Sequence, residues 1–176
     1  VLNESVSATT SVNVRGSLNV RRNNGEFIGS FASYGYIKDP EDRHRLIIDE
    51  EAAEVVRKIF RYFLDGMGVQ SICRKLQAEG ILTPKEYKQS KGMRYHTPLQ
   101  KEGHGWSVST VKRILSNEMY IGTLVQGRER KVSYKSKKVV SVPRSEWIMV
   151  PDCHEPIVEK TDFYKVQEML KARRKR

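Results

Sequence analysis

The residues able to carry chemistry are few and dispersed. His44, His96, His104 and His154 stand apart, and the two cysteines, Cys73 and Cys153, lie far apart with no CxxC pair. Only at Cys153-His154-Glu155 do a thiol, an imidazole and a carboxylate adjoin. A zinc site needs a second pair of ligands, and a cysteine nucleophile needs a base with its own orienting partner; the sequence offers neither. His154 before Glu155-Pro156 therefore reads as structural, capping a turn into the last helix. Glu50-Glu51 reads as a pair of helix-start acids, where the dipole favours them. Gly66 and Gly68 bracket a helix break and do not form a phosphate-cradling loop. No catalytic residue, metal ligand or cofactor is assigned.

The remaining chemistry is electrostatic. Lys and Arg number 32 against 21 acids, a net charge of +11, with a pI of about 9.7. That excess points to a polyanionic partner. It is unevenly placed: Arg128, Arg130, Lys131, Lys135, Lys137 and Lys138 crowd around the single acid Glu129, and residues 171–176 form an acid-free basic tail. Such clustering favours a binding face with arms. The 176 residues suit one domain or two small ones, and 38% hydrophobic residues allow one modest core. The cysteine count excludes a disulfide scaffold, and no apolar run is long enough to span a membrane. The start lacks the basic and apolar regions of a signal peptide, so a cytoplasmic location is expected. No methionine opens the sequence, and the chain is expected to be a piece of a longer protein.

The elements that must position these charges follow from periodicity. Residues 1–24 are polar, with a short helix expected over 12–23, and 25–45, rich in Gly and aromatics, reads as an extended linker. Ala52, Val56, Ile59, Phe60 and Phe63 form one apolar stripe on a helix over 49–64, with Asp49 as cap, Glu54–Lys58 as an i,i+4 pair and Gly66 as stop. A second helix over 69–79 turns Val69, Ile72, Cys73 and Leu76 inward and ends at Gly80. Residues 85–105 read as a long basic loop. A third helix over 108–116 is capped by Ser107, with Trp106 stapled onto Val111 and Asn117 as a left-handed stop. It turns Val108, Val111, Ile114 and Leu115 inward and Ser109, Thr110, Lys112, Arg113 and Ser116 outward. Short strands are expected over 120–125, 131–134, 139–142 and 147–150, the basic stretch forming a hairpin tip. A last helix from about Lys160 carries Phe163, Val166, Met169 and Leu170. The fold class is mainly helical α+β, a helix-turn-helix-like bundle with a small antiparallel β-hairpin or sheet.

Helix, stop, then a short capped helix with a polar outer face is the logic of a helix that enters the major groove. Lys112 and Arg113 have the reach for guanine or phosphate, and Ser109 and Thr110 for bases or backbone. The basic hairpin would track phosphates beside the groove. A helix-turn-helix transcriptional regulator fits the same residues; a metal-dependent nuclease using His154 and Glu155 is a further alternative.

Several runs, taken in order, resemble the recombinase domain of large serine recombinases. They are Gly25-Glu26-Phe27-Ile28-Gly29, Tyr34-Gly35-Tyr36, and Ile48-Asp49-Glu50-Glu51-Ala52 with Val55-Val56-Arg57-Lys58-Ile59-Phe60. Next come Gly66, Ile72, Leu76, Gly80-Ile81 and Thr83-Pro84. Trp106-Ser107, Val111, Ile114-Leu115, Asn117 and Tyr120-Ile121-Gly122 follow, and the series closes on His154-Glu155-Pro156-Ile157-Val158, Phe163 and Val166-Gln167. The likeness spans residues 12–170. It implies a DNA-binding part of a site-specific recombinase of the phage-integrase or transposon kind, acting in DNA integration and excision. In such proteins a serine of a separate catalytic domain attacks the DNA, and a zinc ribbon and coiled coil follow. Neither the serine-bearing domain nor the ribbon cysteines are here, so the chain alone is expected to catalyse nothing. The resemblance implies segments at 1–24 (the end of an interdomain helix), 25–45 (a minor-groove linker), 46–170 (the DNA-binding domain) and 171–176 (a basic tail). Its partner would be a double-stranded attachment half-site and not a membrane. The full-length protein would be a dimer on each site and a tetramer in synapsis, and this chain a monomer. DNA contacts are expected from Ser109, Thr110, Lys112 and Arg113 in the major groove. Arg21, Arg22, Gly25 and Gly29 would lie along backbone and minor groove, and Arg128, Arg130, Lys131, Lys135, Lys137 and Lys138 on phosphates.

Overall fold

The apolar stripes become six α-helices and three antiparallel strand pairs in the computed structural model, which describes residues 2–93, 105–133, 136 and 138–174. Contacts divide the described chain into two units, one from Val1–Ile48 and Glu118–Pro156, the other from Asp49–Asn117 and Ile157–Arg176. This grouping differs from a linear reading, because the segment 118–156 folds with the early residues.

The second unit is helical. Helix α2 (Glu50–Leu64) buries Ala52, Ala53, Val56, Ile59, Phe60 and Phe63, the expected stripe widened by one residue. Helix α3 (Val69–Ala78) buries Ile72, Cys73 and Leu76. Gly66 (φ +94°) and Gly80 (φ +68°) end the two helices. In each, the glycine N–H and the next N–H bond back to carbonyls of the last turn, a left-handed closure that only glycine adopts without cost. Helices α5 (Val108–Leu115) and α6 (Lys160–Arg174) pack on this pair, with Phe163 and Val166 of α6 buried and Met169 and Leu170 only half-buried.

Several local expectations are corrected here. Residues 84–90 are not loop but helix α4 (Pro84–Ser90). Thr83 and Glu86 cap each other's backbone N–H and Pro84 occupies the first turn, so the T-P-x-E signal was present in the sequence. Of the rest of the expected loop, 94–104 lies outside the described residues. Asp49 precedes α2 but makes no side-chain cap, because its carboxylate accepts from the Tyr87 hydroxyl at 2.9 and 3.0 Å. Glu54 pairs with Arg57 at 2.6 Å, while Lys58 reaches across to Glu79 at 2.9 Å. Asn117 is not left-handed: the only non-glycine with positive φ among the described residues is Asp152, and the α5 helix closes through Ser116 and Asn117 N–H groups bonded to Lys112 and Ile114. Residues 171–174 continue α6, and Arg173 donates to the Gly66 and Met67 carbonyls at 2.8 and 3.0 Å. A cation there suits the negative end of α2, so part of the basic tail is structural.

The first unit holds helix α1 (Leu2–Asn23), ten residues longer at its start than expected, and strand β1 (Tyr36–Lys38), inside the segment read as linker, paired with β2 (Leu46–Ile48) just after it. Tyr120 and Ile121 lie in a 3₁₀ turn (Glu118–Ile121) and not in a strand. Strand β3 (Leu124–Gln126) pairs with β6 (Ile148–Val150), and β4 (Glu129–Lys131) with β5 (Val139–Ser141). The linker is tied down: buried Gln126 accepts from the Ile28 N–H and donates to the Glu26 carbonyl, replacing the ladder an extended segment lacks. Tyr36 donates to the Met119 and Glu155 carbonyls, and Tyr120 to that of Tyr34.

Trp106 joins two elements of the helical unit. It is buried, and its Nε1–H donates to the Ile81 carbonyl just past α3, at 2.8 Å. Trp106→Ala is expected to lower stability by about 3–5 kcal/mol, and Trp106→Phe, which loses only the donor and some area, by about 1–2 kcal/mol. Thermal or urea unfolding checks both; a melting point unchanged in Trp106→Ala would contradict this account of the core.

Candidate nucleic-acid interface

Eight residues make α5, and each end is held. Ser107 accepts from the Thr110 N–H at 3.2 Å, satisfying a first-turn donor. At the other end the Gln167 amide of α6 donates to the Leu115 carbonyl at 2.7 Å. Val111, Ile114 and Leu115 are buried, while Ser109, Lys112, Arg113 and Ser116 are exposed. The inward stripe thus leaves an outward face of small hydroxyls and two long cations. Thr110 is half-buried, and the Ser107 hydroxyl lies 2.9 Å from both the Ser109 and Thr110 hydroxyls, so these two groups belong partly to the cap.

A cation missed by sequence reasoning joins them. Lys88 of α4 is half-buried, and burial, followed by the nearby Arg113 charge, pushes its ammonium below the usual lysine range. The signal was the helix itself, which the loop reading hid. Helix α4 is fastened through Tyr87, whose hydroxyl burial and the Asp49 carboxylate push far above the ordinary tyrosine range. Lys91 adds a 2.7 Å pair with Glu51 and holds that carboxyl below its usual range.

In the other unit the expected contact residues separate into two kinds. Arg21 is engaged internally, its Nε donating to Glu26 at 2.7 Å and an Nη lying 2.7 Å from His44 Nε2. Arg22 donates to Asn19 at 2.9 Å. Gly25 and Gly29 have packing duties: an added Cβ would stand 2.8 Å from Cys153 Sγ at the first and 2.6 Å from the Phe27 ring at the second. Arg128 lies over the Trp147 ring and is half-buried. Arg130 is exposed, 3.7 Å from Glu146. Lys131 and Lys138 are exposed. Lys135 and Lys137 lie outside the described residues.

Cys153-His154-Glu155 does not assemble a reactive centre. His154 Nε2 is bonded to the Met119 carbonyl at 2.7 Å and its ring meets Tyr36 edge-on, so its structural role is to brace the 3₁₀ turn. Burial pushes the Cys153 thiol up. Among the described residues no group of three His, Cys, Asp or Glu is placed to hold a metal ion, and no helix is long and apolar enough to cross a membrane.

A family model described as Recombinase matches residues 50–173. The chain belongs to the Recombinase family. The matched span of this Recombinase chain runs from the first residue of α2 almost to the end of α6, and so includes α5 and the β4–β5 hairpin. A Bacillus subtilis (strain 168) relative, the uncharacterized protein YefB, is 42% identical over 71 residues, covering 40% of this chain and 24% of that one. A solved structure described as "Crystal Structure of a LSR-DNA Complex" is similar at 22% identity and TM-score 0.45, over 90% of this chain and 37% of that chain. Another, described as "Sequence Requirements of the Listeria innocua prophage attP site", is similar at 22% identity and TM-score 0.47, over 90% of this chain and 50% of that chain. The Recombinase chain therefore spans half or less of these relatives.

The buried imidazole gives a pH prediction. Burial holds His154 below its ordinary value, partly opposed by its bond to Met119, and its Nδ1 has no partner. The unfolded chain therefore takes up the proton first. The contribution to stability is full above the unfolded value of 6.5 and is lost as pH falls towards and through the lowered folded value. Urea midpoints at pH 7.5 and 5.5 should show the lower value at 5.5, and His154→Gln should shrink that difference. An equal difference in the variant would contradict the role given to His154.

Proposed function

We propose that this chain is the DNA-binding recombinase domain of a large serine site-specific recombinase and binds one attachment half-site. The observation that carries the reading is α5: a helix clamped at both ends, apolar on one side, with Ser109, Lys112 and Arg113 standing free of the core on the other. A helix so held presents side chains to the major groove at low entropic cost, and an arginine there pairs bidentately with guanine. Membership of the Recombinase family and the net charge of +11 support the same reading.

In mechanism, Arg113 and Lys112 read base edges or the flanking phosphates, and Ser109 and Thr110 make short contacts to bases or backbone. The cations of the β4–β5 region add sequence-independent attraction through counterion release. The linker and Arg22 lie along the backbone and minor groove, while Arg21 orients the end of α1 through Glu26 and His44. No residue of this chain attacks DNA; the serine chemistry belongs to the parent protein, which works as a dimer on each site and a tetramer in synapsis. The chain alone is a monomer and acts in the cytoplasm, on DNA of a phage or transposon.

Two measurements test this. Arg113→Ala is expected to weaken the preferred duplex by about 1–3 kcal/mol and to relax sequence preference; equal loss on every duplex would make it a phosphate contact. Neutralising Lys135, Lys137 and Lys138 together should reduce the slope of log affinity against log salt by about three units. An unchanged slope would remove this stretch from the interface.

A further inference from the structure

The β4–β5 hairpin is joined by three-residue strands, and all of β4 is exposed, so little in the ladder itself fixes the direction the hairpin takes. Side chains at its base supply that constraint. The Arg128 guanidinium lies 4.9 Å from the centre of the Trp147 ring and the Arg144 guanidinium 5.4 Å from it. Trp147 Nε1–H donates to the Val142 carbonyl at 2.8 Å, and the Val142 N–H donates to the Arg128 carbonyl at 2.8 Å. Indole, hairpin exit and hairpin start are thereby joined in one closed circuit. Arg144 is in turn paired with Glu118. The electron-rich ring face attracts each guanidinium, and Glu118 offsets the repulsion between the two.

Arg128 is thus spent on the base of the hairpin, and Arg130 stands beside Glu146. Lys131, the last residue of β4, and Lys138, just before β5, are left exposed. We propose that Trp147 is the positioning residue of this hairpin: held between Arg128 and Arg144, it sets the direction in which β4–β5 presents Lys131 and Lys138 to a nucleic-acid backbone. The proposal rests on the DNA-binding reading above, and adds that an aromatic residue which touches no DNA governs how many phosphates the domain neutralises.

The test is fluorescence anisotropy of a labelled duplex of arbitrary sequence, with the whole chain, between 50 and 200 mM salt. The double variant Lys131→Gln, Lys138→Gln should lower the log–log slope by about two units. Trp147→Ala should lower it by at least that amount, and adding the two lysine substitutions to Trp147→Ala should lower it no further. Trp147→Phe keeps an aromatic face for both arginines and should restore the slope. Arg144→Gln should show the same lack of additivity with the ring still present, so the result does not depend on Trp147→Ala folding. Losses that add, or a Trp147→Ala chain that melts earlier but keeps the wild-type slope, overturn the positioning role alone. A wild-type chain that binds no duplex overturns the DNA-binding reading as well.

Discussion

The Trp106 indole bonded to the Ile81 carbonyl is the constraint on which the helical unit turns. A short helix of eight residues has little stability of its own, because nucleation costs more than so few backbone bonds return. Here it is fastened before its first turn by Trp106, within that turn by Ser107, and after its last by Gln167. Each bond uses a backbone group or side chain that would otherwise be unsatisfied, and together they fix α5 relative to α3 and α6. The exposed face of α5 inherits that order. Lys112 and Arg113 start from a fixed backbone, and only their own side-chain freedom is lost when they engage a partner.

The same logic, with different chemistry, runs through the other unit. Its strands are three residues long, too short to be stable as isolated pairs. Polar side chains complete the work: Gln126 bonds the linker on both sides, Tyr36 bridges the carbonyls of Met119 and Glu155, and His154 braces Met119 from another direction. These groups are why a segment rich in Gly and aromatics is ordered at all. Arg21, Gly25, Gly29 and Arg128, expected at DNA, also have intramolecular partners or close neighbours of their own.

What the sequence made legible was what periodicity encodes. The α2 stripe, Ile72, Cys73 and Leu76 of α3, the Ser107 cap and Val111, Ile114 and Leu115 of α5 stand where the sequence pattern puts them, while Val69 and Val108, also expected inward, are only half-buried at the first turns. What stayed hidden depends on partners distant in the chain. Asp49 stands at a cap position, but Tyr87 takes its carboxylate; Arg173 belongs by sequence to a basic tail, but bonds to the end of α2; Lys88 takes its place from α4, which carries little apolar period. The T-P-x-E start of α4 is legible in the sequence, but seven residues give too little apolar period for the helix to stand out. The β1–β2 pair is hidden for a related reason: its residues carry no alternation, and a side-chain circuit through Gln126 and His44 holds the neighbouring linker.

The central claim is that the outer face of α5 lies against base edges in the major groove. Selection of duplexes from a random pool, followed by guanine-N7 methylation interference on the recovered sequences, tests it most directly. The account predicts a recurring half-site in which one or more methylated guanines abolish binding by the wild type and lose that effect in Arg113→Ala. A pool that yields no recurring sequence, or interference that is the same in both proteins, would contradict it.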